Sequence, residues 1–348
     1  MHDDVLDEHV AASDDHDLRQ VVAVDKANGE MLWSKSIAPR LPESRYSKGN
    51  DSRHGYASST PTSDGERLYV FLGKTGVLCF DLDGQEIWRS EVGDGTHGWG
   101  SGTSPLLVDN LVIVNASIES EALIALDKRT GDRVWTYPDV ERCWTSPVLV
   151  ETAEGPEVVL SMPNKIVGID PGGGDELWHC EGIPDRYVCP SPIVHDGVAY
   201  VIGGRKNTAI AVKAGGRGDV TDSHVLWRVD RGSNVASPVY LDGYLYWLHE
   251  SRGIAYCLDA ETGDVQYQQR LDPRPGLIYG SLTAADGKLY ALSQDNGAYV
   301  LAATPAELQQ LAVNRFESDP SRCNACAAVV DGRIYLRTDQ ALYCLGAP

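Results

Sequence analysis

One unit recurs along the chain, and it constrains the fold more than any other feature. It is a short apolar run, an Asp, a few polar residues with a Gly, then an apolar residue and an aromatic. It reads VVAVDKANGEMLW (21–33), VLCFDLDGQEIW (77–88) and LIALDKRTGDRVW (123–135). It returns as IVGIDPGGGDELW (166–178), AIAVKAGGRGDVTDSHVLW (209–227) and AYCLDAETGDVQY (255–267). The closing aromatics Trp33, Trp88, Trp135, Trp178, Trp227 and Tyr267 stand 55, 47, 43, 49 and 40 residues apart. A repeat of that length, rich in short strands, is the size of one propeller blade.

Each copy has the chemistry of a hairpin: Asp opens the turn through its side chain, and Gly supplies the positive-φ position. A second hairpin precedes it, as in TSPLLVDNLVIVNAS (103–117), PSPIVHDGVAYVIGG (190–204) and ASPVYLDGYLYWLHE (236–250). Ser-Pro is tolerated only at the first residue of such a strand. The two hairpins give a blade of four antiparallel strands, A to D from the inside out. Seven A–B hairpins begin near residues 59, 103, 145, 190, 236, 280 and 326. The N-terminal unit has C and D, and residues 1–13 align with the end of A and with B. The expectation is an all-β, single-domain propeller over 1–348, with eight blades, the first truncated and the last lacking its outer strand. A seven-bladed ring, in which 21–37 pairs with the C-terminal hairpin, is the alternative. The missing edge implies that the natural polypeptide starts upstream of Met1. In 303–316, Thr304, Pro305 and Glu307 form a capping box that predicts a short helical turn, with a strand resuming near Leu311–Phe316.

These units resemble the PQQ-like repeat family, whose consensus hairpin is Ala-x-Asp-x-x-Thr-Gly-x-x-x-Trp, and ALDKRTGDRVW (125–135) matches it fully. The resemblance covers nearly the whole chain. It implies a propeller in which the tryptophans pack between neighbouring blades. It also implies a bacterial protein, and three kinds of function. One is a non-catalytic scaffold, as in a bacterial outer-membrane assembly lipoprotein. Another is a quinoprotein dehydrogenase holding PQQ over calcium. The third is a sensor domain cut from a larger, kinase-linked protein. The vicinal cysteines of many quinoprotein dehydrogenases are missing here, and no kinase motif is present.

Composition narrows the partners. The formal charge of −20, from 50 Asp and Glu against 30 Lys and Arg, repels phosphate backbones and argues against nucleic acid. No apolar stretch approaches the roughly 18 residues of a membrane helix. The start lacks the basic and apolar regions of a signal peptide. A lost upstream segment would account for that, and the expected location is extracytoplasmic.

Against this acidity, the D-to-A loops of one propeller face gather arginine and aromatics. The candidate ligand-binding residues are Arg53, His54, Tyr56, His97, Trp99, Arg142, Trp144, Arg186, Tyr187, Asn234, Arg274, Tyr279 and Arg322. Guanidinium groups pair with anions in bidentate fashion and aromatic rings stack on planar groups. The set therefore points to a small anionic or carbohydrate-like ligand, or to a protein partner. Alternatively, each arginine pairs with a carboxylate or the backbone of a neighbouring blade. His54 and His97 have no third ligand at a fixed spacing, so a turn hydrogen bond accounts for them better than a metal. Cys323-x-x-Cys326 has no second pair for zinc and leads into a strand, so both are read as structural, able to pair under oxidising conditions. No catalytic residue, phosphate loop, HExxH or GxSxG is found.

Overall fold

The computed structural model describes residues 18–44 and 56–346. Its elements are almost all strands, and the described residues form eight antiparallel-laddered sheets in chain order. Sheet 1 (19–37) has two strands. Sheets 2 (62–90), 3 (106–137), 5 (193–229), 6 (239–270) and 7 (283–314) have four. Sheet 4 (148–181) has four plus an outer fifth strand, Gly218–Asp219, and sheet 8 (328–345) has three. In every four-stranded sheet each strand pairs with the next strand of that sheet, the expected A-B-C-D meander, although in sheet 5 the Gly218–Asp219 strand intervenes in sequence before the last. The two partial sheets lie together where the ring closes. As one composite closing blade they give a ring of seven, the alternative count, whereas eight hydrogen-bonded sheets are present.

The core lies between sheets. Middle strands buried on both faces read as continuous apolar runs, such as Val77–Asp81 and Ala122–Asp127. Seven apolar clusters each straddle two consecutive sheets, from Val21 and Ile37 against Leu78 and Phe80 to Leu292 against Leu336. The seam between sheets 8 and 1 is polar. There Lys26 pairs with Asp331 at 2.5 Å, and Arg333 and the Tyr335 hydroxyl donate to the Lys26 carbonyl at 3.3 Å each.

The repeat's Gly and Trp serve one joint. The indole Nε1 of Trp33 donates to the Leu82 carbonyl in the next sheet's C–D turn (2.9 Å). Trp88 does the same to Lys128, Trp135 to Pro171 and Trp227 to Ala260. Each ring lies flat on that turn's glycine: a Cβ on Gly131 would stand 2.6 Å from Trp88, and φ there is +78°. Only glycine meets both demands. Trp178 departs from the pattern and donates to Glu157 of its own sheet (2.7 Å). The following C–D turn is replaced by an insertion carrying Gly218–Asp219 and the short helix Thr221–His224, which covers it. Tyr267 is buried between sheets 6 and 7.

The serines that open the A strands form a second girdle near the axis. The Thr60 N–H donates to Ser104 Oγ, Ser104 to Ser146, Ser146 to Ser191, Ser191 to Ser237 and Ser237 to Ser281, at 2.9–3.0 Å. Ser281 donates to Cys326 Sγ at 3.1 Å. Proline can follow most of these serines because the serine, not its successor, makes the link.

One expectation fails. No helix forms in 303–316. The backbone N–H of Ala302 donates to the Gln309 carbonyl at 2.9 Å, and Leu301 pairs with Gln310. These ladder contacts pin both ends of the loop and leave too little chain for a helical turn. Thr304 accepts only a long bond from the Ala306 N–H (3.4 Å), and the strand is Gln310–Asn314. The alignment of 1–13 with strands A and B lies outside the described residues.

Candidate functional site

The loops entering sheets 4 and 5 are laced together. Cys143 and Val188 form a parallel bridge. The Trp144 N–H donates to the Val188 carbonyl at 2.8 Å, and the Val188 N–H to the Arg142 carbonyl at 3.3 Å. Beneath them Asn115 holds the Cys143 and Thr145 carbonyls through Nδ2. This lacing fixes Trp144 beside Tyr187. The Trp144 indole then donates to the Gly100 carbonyl at 2.8 Å, which ties in the loop that carries His97 and Trp99. That loop rests on Glu119, a buried carboxyl that accepts from Ser101 Oγ. Burial pushes Glu119 up to about 7 despite the Ser101 bond.

The result is an open cavity of about 240 Å³ lined by His97, Trp99, Arg142, Trp144, Arg186, Tyr187 and Arg205. Trp99 lies 5.2 Å from Trp144 and 5.0 Å from Tyr187, ring centre to ring centre. His97 sits edge-on to both indoles at 5.4 and 5.0 Å. Its Nδ1 accepts the Trp99 N–H at 3.1 Å. Desolvation and then the Arg142 charge lower its pKa, so it is neutral near pH 7.

The cavity gathers three guanidinium groups beside its aromatic rings. Neither Arg142 nor Arg186 has a carboxylate partner among the described residues, although the chain has 50 Asp and Glu. Arg205 lies over the Tyr187 ring at 5.4 Å. Arg142 also holds a left-handed backbone, φ 48°, a conformation costly for a non-glycine residue and one that clusters at functional sites.

Of the thirteen residues singled out in the sequence, the fold brings six into this cavity: His97, Trp99, Arg142, Trp144, Arg186 and Tyr187. Asn234 stands behind it and donates Nδ2 to the Tyr187 hydroxyl at 2.8 Å. The others lie elsewhere. Tyr56 is covered by the Arg19 guanidinium at 4.8 Å. Arg274 donates to the Ser251 carbonyl, Arg322 pairs with Asp295 at 3.5 Å, and Tyr279 is not among the lining residues. Arg53 and His54 lie outside the described residues. Arg205 was missed. It sits in the B–C connection after Gly203-Gly204, which opens on the same face, and that placement was the available signal.

A larger groove of about 740 Å³ lies between the A–B turns of sheets 4 and 5, lined by Glu151, Glu154, Asp196 and His195 among others. Its acidity only repeats that of the whole surface. Among the described residues no three His, Cys, Asp or Glu converge to hold a metal ion. The candidate cavity is lined by three guanidinium groups and no carboxylate, a donor set that does not suit a calcium ion. Cys323 donates to the Arg337 carbonyl at 3.0 Å while Cys326 serves the serine girdle, and both thiols are free. No described helix is long and apolar enough to cross a membrane.

Comparison with known proteins agrees with the fold. None of the curated proteins compared matches the sequence. Among solved structures, BamB from Moraxella catarrhalis superposes with a TM-score of 0.63 at 13% identity, over 93% of this chain and 92% of that one. The computationally designed Ika8 protein superposes with a TM-score of 0.65, also at 13% identity, over 94% and 90%. The family model described as outer membrane protein assembly factor BamB matches residues 18–269 and 216–345. With its repeats, its propeller and that match in agreement, the chain belongs to the PQQ-like repeat family of BamB-type propellers.

Proposed function

We propose that this chain is a non-catalytic docking propeller that engages a protein partner through its funnel face, at the aromatic–arginine cavity. One observation carries the reading: two carboxylate-free arginines beside three clustered aromatic rings, on a chain of charge −20. Interfaces are enriched in just these residue types, and desolvated Trp, Tyr and Arg dominate binding energy where they cluster. The family description, an outer membrane protein assembly factor, supports a scaffold working outside the cytoplasm. The cavity is smaller than the ~300–1,000 Å³ typical of drug-sized ligands, which favours an anchor group of a larger partner over a free sugar.

The test is site-specific photocrosslinking in cells of the source organism. A benzophenone side chain at exposed Lys206, next to the lining residue Arg205, is expected to give a discrete protein adduct, lost in the Arg142→Gln/Arg186→Gln double variant at unchanged melting temperature. The same probe in the Asp242–Gly243 turn, at the opposite rim, should give none. An adduct from the opposite rim alone would refute the assignment of the face.

A further inference from the structure

We propose that the group received by this cavity is the C-terminal residue of the partner chain. Its carboxylate is held by Arg142, Arg186 and the Tyr187 hydroxyl, and its apolar side chain packs on Trp99 and Trp144. The inference rests on the docking reading above and names the chemistry of the anchor.

The donors select a carboxylate. Guanidinium binds carboxylate and phosphate alike, but phosphate sites add backbone N–H groups from a nest or a helix start. Here no described helix starts at the cavity, and four of the seven lining residues have their backbone amides committed elsewhere. Trp99 N–H donates to His97 Nδ1 and Trp144 N–H to the Val188 carbonyl. Arg186 and Arg205 N–H each donate to an oxygen of Asp185, at 2.6 and 2.7 Å. The side chains supply two guanidinium forks without a carboxylate partner among the described residues, a third guanidinium stacked on Tyr187, and one hydroxyl. The Tyr187 oxygen accepts from Asn234 at 2.8 Å and from Arg205 Nε at 3.4 Å, so its own proton is left to donate. His97, neutral with Nδ1 occupied, adds no further cation to the three arginines.

The walls select a terminus over an internal acid. Beside the arginines stand two indoles and a phenol within 6.3 Å of one another, ring centre to ring centre. An internal Asp or Glu brings its carboxylate on one or two methylenes and leaves those faces wet. A C-terminal residue with an aromatic or branched side chain carries both groups on one Cα, and about 240 Å³ holds one residue.

The experiment uses the whole chain labelled with 5-fluorotryptophan, with the Trp99 and Trp144 signals assigned by Trp99→Phe and Trp144→Phe. Three probes are titrated by 19F NMR: acetyl-Gly-Ser-Gly-Phe as the free acid, the same peptide as its C-terminal amide, and acetyl-Gly-Asp-Gly-Phe amide. The free acid is expected to shift both signals and to bind at least about tenfold more tightly than either amide, since a charge-assisted pair is lost in the first and misplaced in the second. The Arg142→Gln/Arg186→Gln variant should abolish the preference. Equal binding of acid and amide, equal binding of the internal-Asp peptide, or no shift up to the solubility limit would each overturn the proposal. Inorganic phosphate moving the same signals at lower concentration than acetate would overturn it as well. If the Lys206 crosslink persists under any of these outcomes, the docking reading stands and only the anchor chemistry fails. If both are lost, both fall.

Discussion

Two arcs of the ring carry similar loop sequences and put them to opposite uses. In sheets 3 to 5, Arg142 and Arg186 meet no carboxylate and converge with three aromatic rings on one cavity. In sheets 7 and 8, Arg274 is spent on the Ser251 carbonyl and Arg322 on Asp295. There Asp319 becomes a hub, accepting from Ser321, from Thr338 at 2.6 Å and from Tyr343 at 2.8 Å. The seams differ too. Apolar clusters join sheets 1 to 8 in order, while the closing seam between 8 and 1 is polar. Arginine on a funnel loop is thus left open to a partner only where the fold supplies no internal acceptor.

The largest test of this contrast compares two glycines with the same backbone. Gly131 (φ +78°) lies under Trp88, whereas Gly29 (φ +79°) has nothing within 4 Å. Alanine at either position meets the left-handed penalty of roughly 1 kcal/mol. At Gly131 it must also displace a buried, hydrogen-bonded indole, so urea unfolding should show a loss of about 4 kcal/mol there and about 1 kcal/mol at Gly29. Equal losses would show that the Trp–Gly joint contributes little beyond backbone strain.

Asp319→Ala should cost about 3 kcal/mol at pH 7 by leaving its donors unpaired. Burial alone would raise this carboxyl, but the bonds from Ser321, Thr338 and Tyr343 outweigh it and hold the pKa at about 2. Because the folded-state value lies below the unfolded one, near 3.8, the stabilisation is present above that pH and vanishes as pH falls toward 2. Unfolding titrations of both proteins at pH 7 and near pH 2 should therefore differ at the first and converge at the second.

Arg142→Gly should raise stability by about 1 kcal/mol, because glycine tolerates φ 48° and no ion pair is lost; the crosslink from Lys206 should weaken at the same time. By contrast, Arg322→Gln should lower stability by no more than about 0.5 kcal/mol, the value of a partly exposed pair. Arg142→Gly found to destabilise would mean that Arg142 holds the loop and is not free for a partner.

The smallest effect belongs to His97. Desolvation and Arg142 lower its folded-state pKa below 6.5, so the unfolded chain binds more protons as pH drops below that value. Stability should then fall slightly as the pH drops from 6.5 to 5. His97→Gln should flatten that slope in a melting series.

The repeat made the fold legible because hairpin turns and two-faced burial are local demands: Asp81, Gly84 and Trp88 lie within one turn and its following strand. The capping box at Thr304 misled for the complementary reason. A few tenths of a kcal/mol of local preference cannot compete with a ladder that pins both ends of the loop. The candidate loops were legible in part. Arg and aromatic residues mark them in sequence, yet nothing local separates Arg142 from Arg322.

The sequence by itself determined the blade, since each turn's Asp, Gly and Trp encode a hairpin that can bury its face only against another of its kind. Only the tertiary structure decided which loops form a site. That depends on the Cys143–Val188 bridge, on the Trp144 bond to Gly100, and on which carboxylates lie within reach of each guanidinium. These are contacts between residues some 45 positions apart, and charge pairing acts over a few ångströms of space, not along the chain.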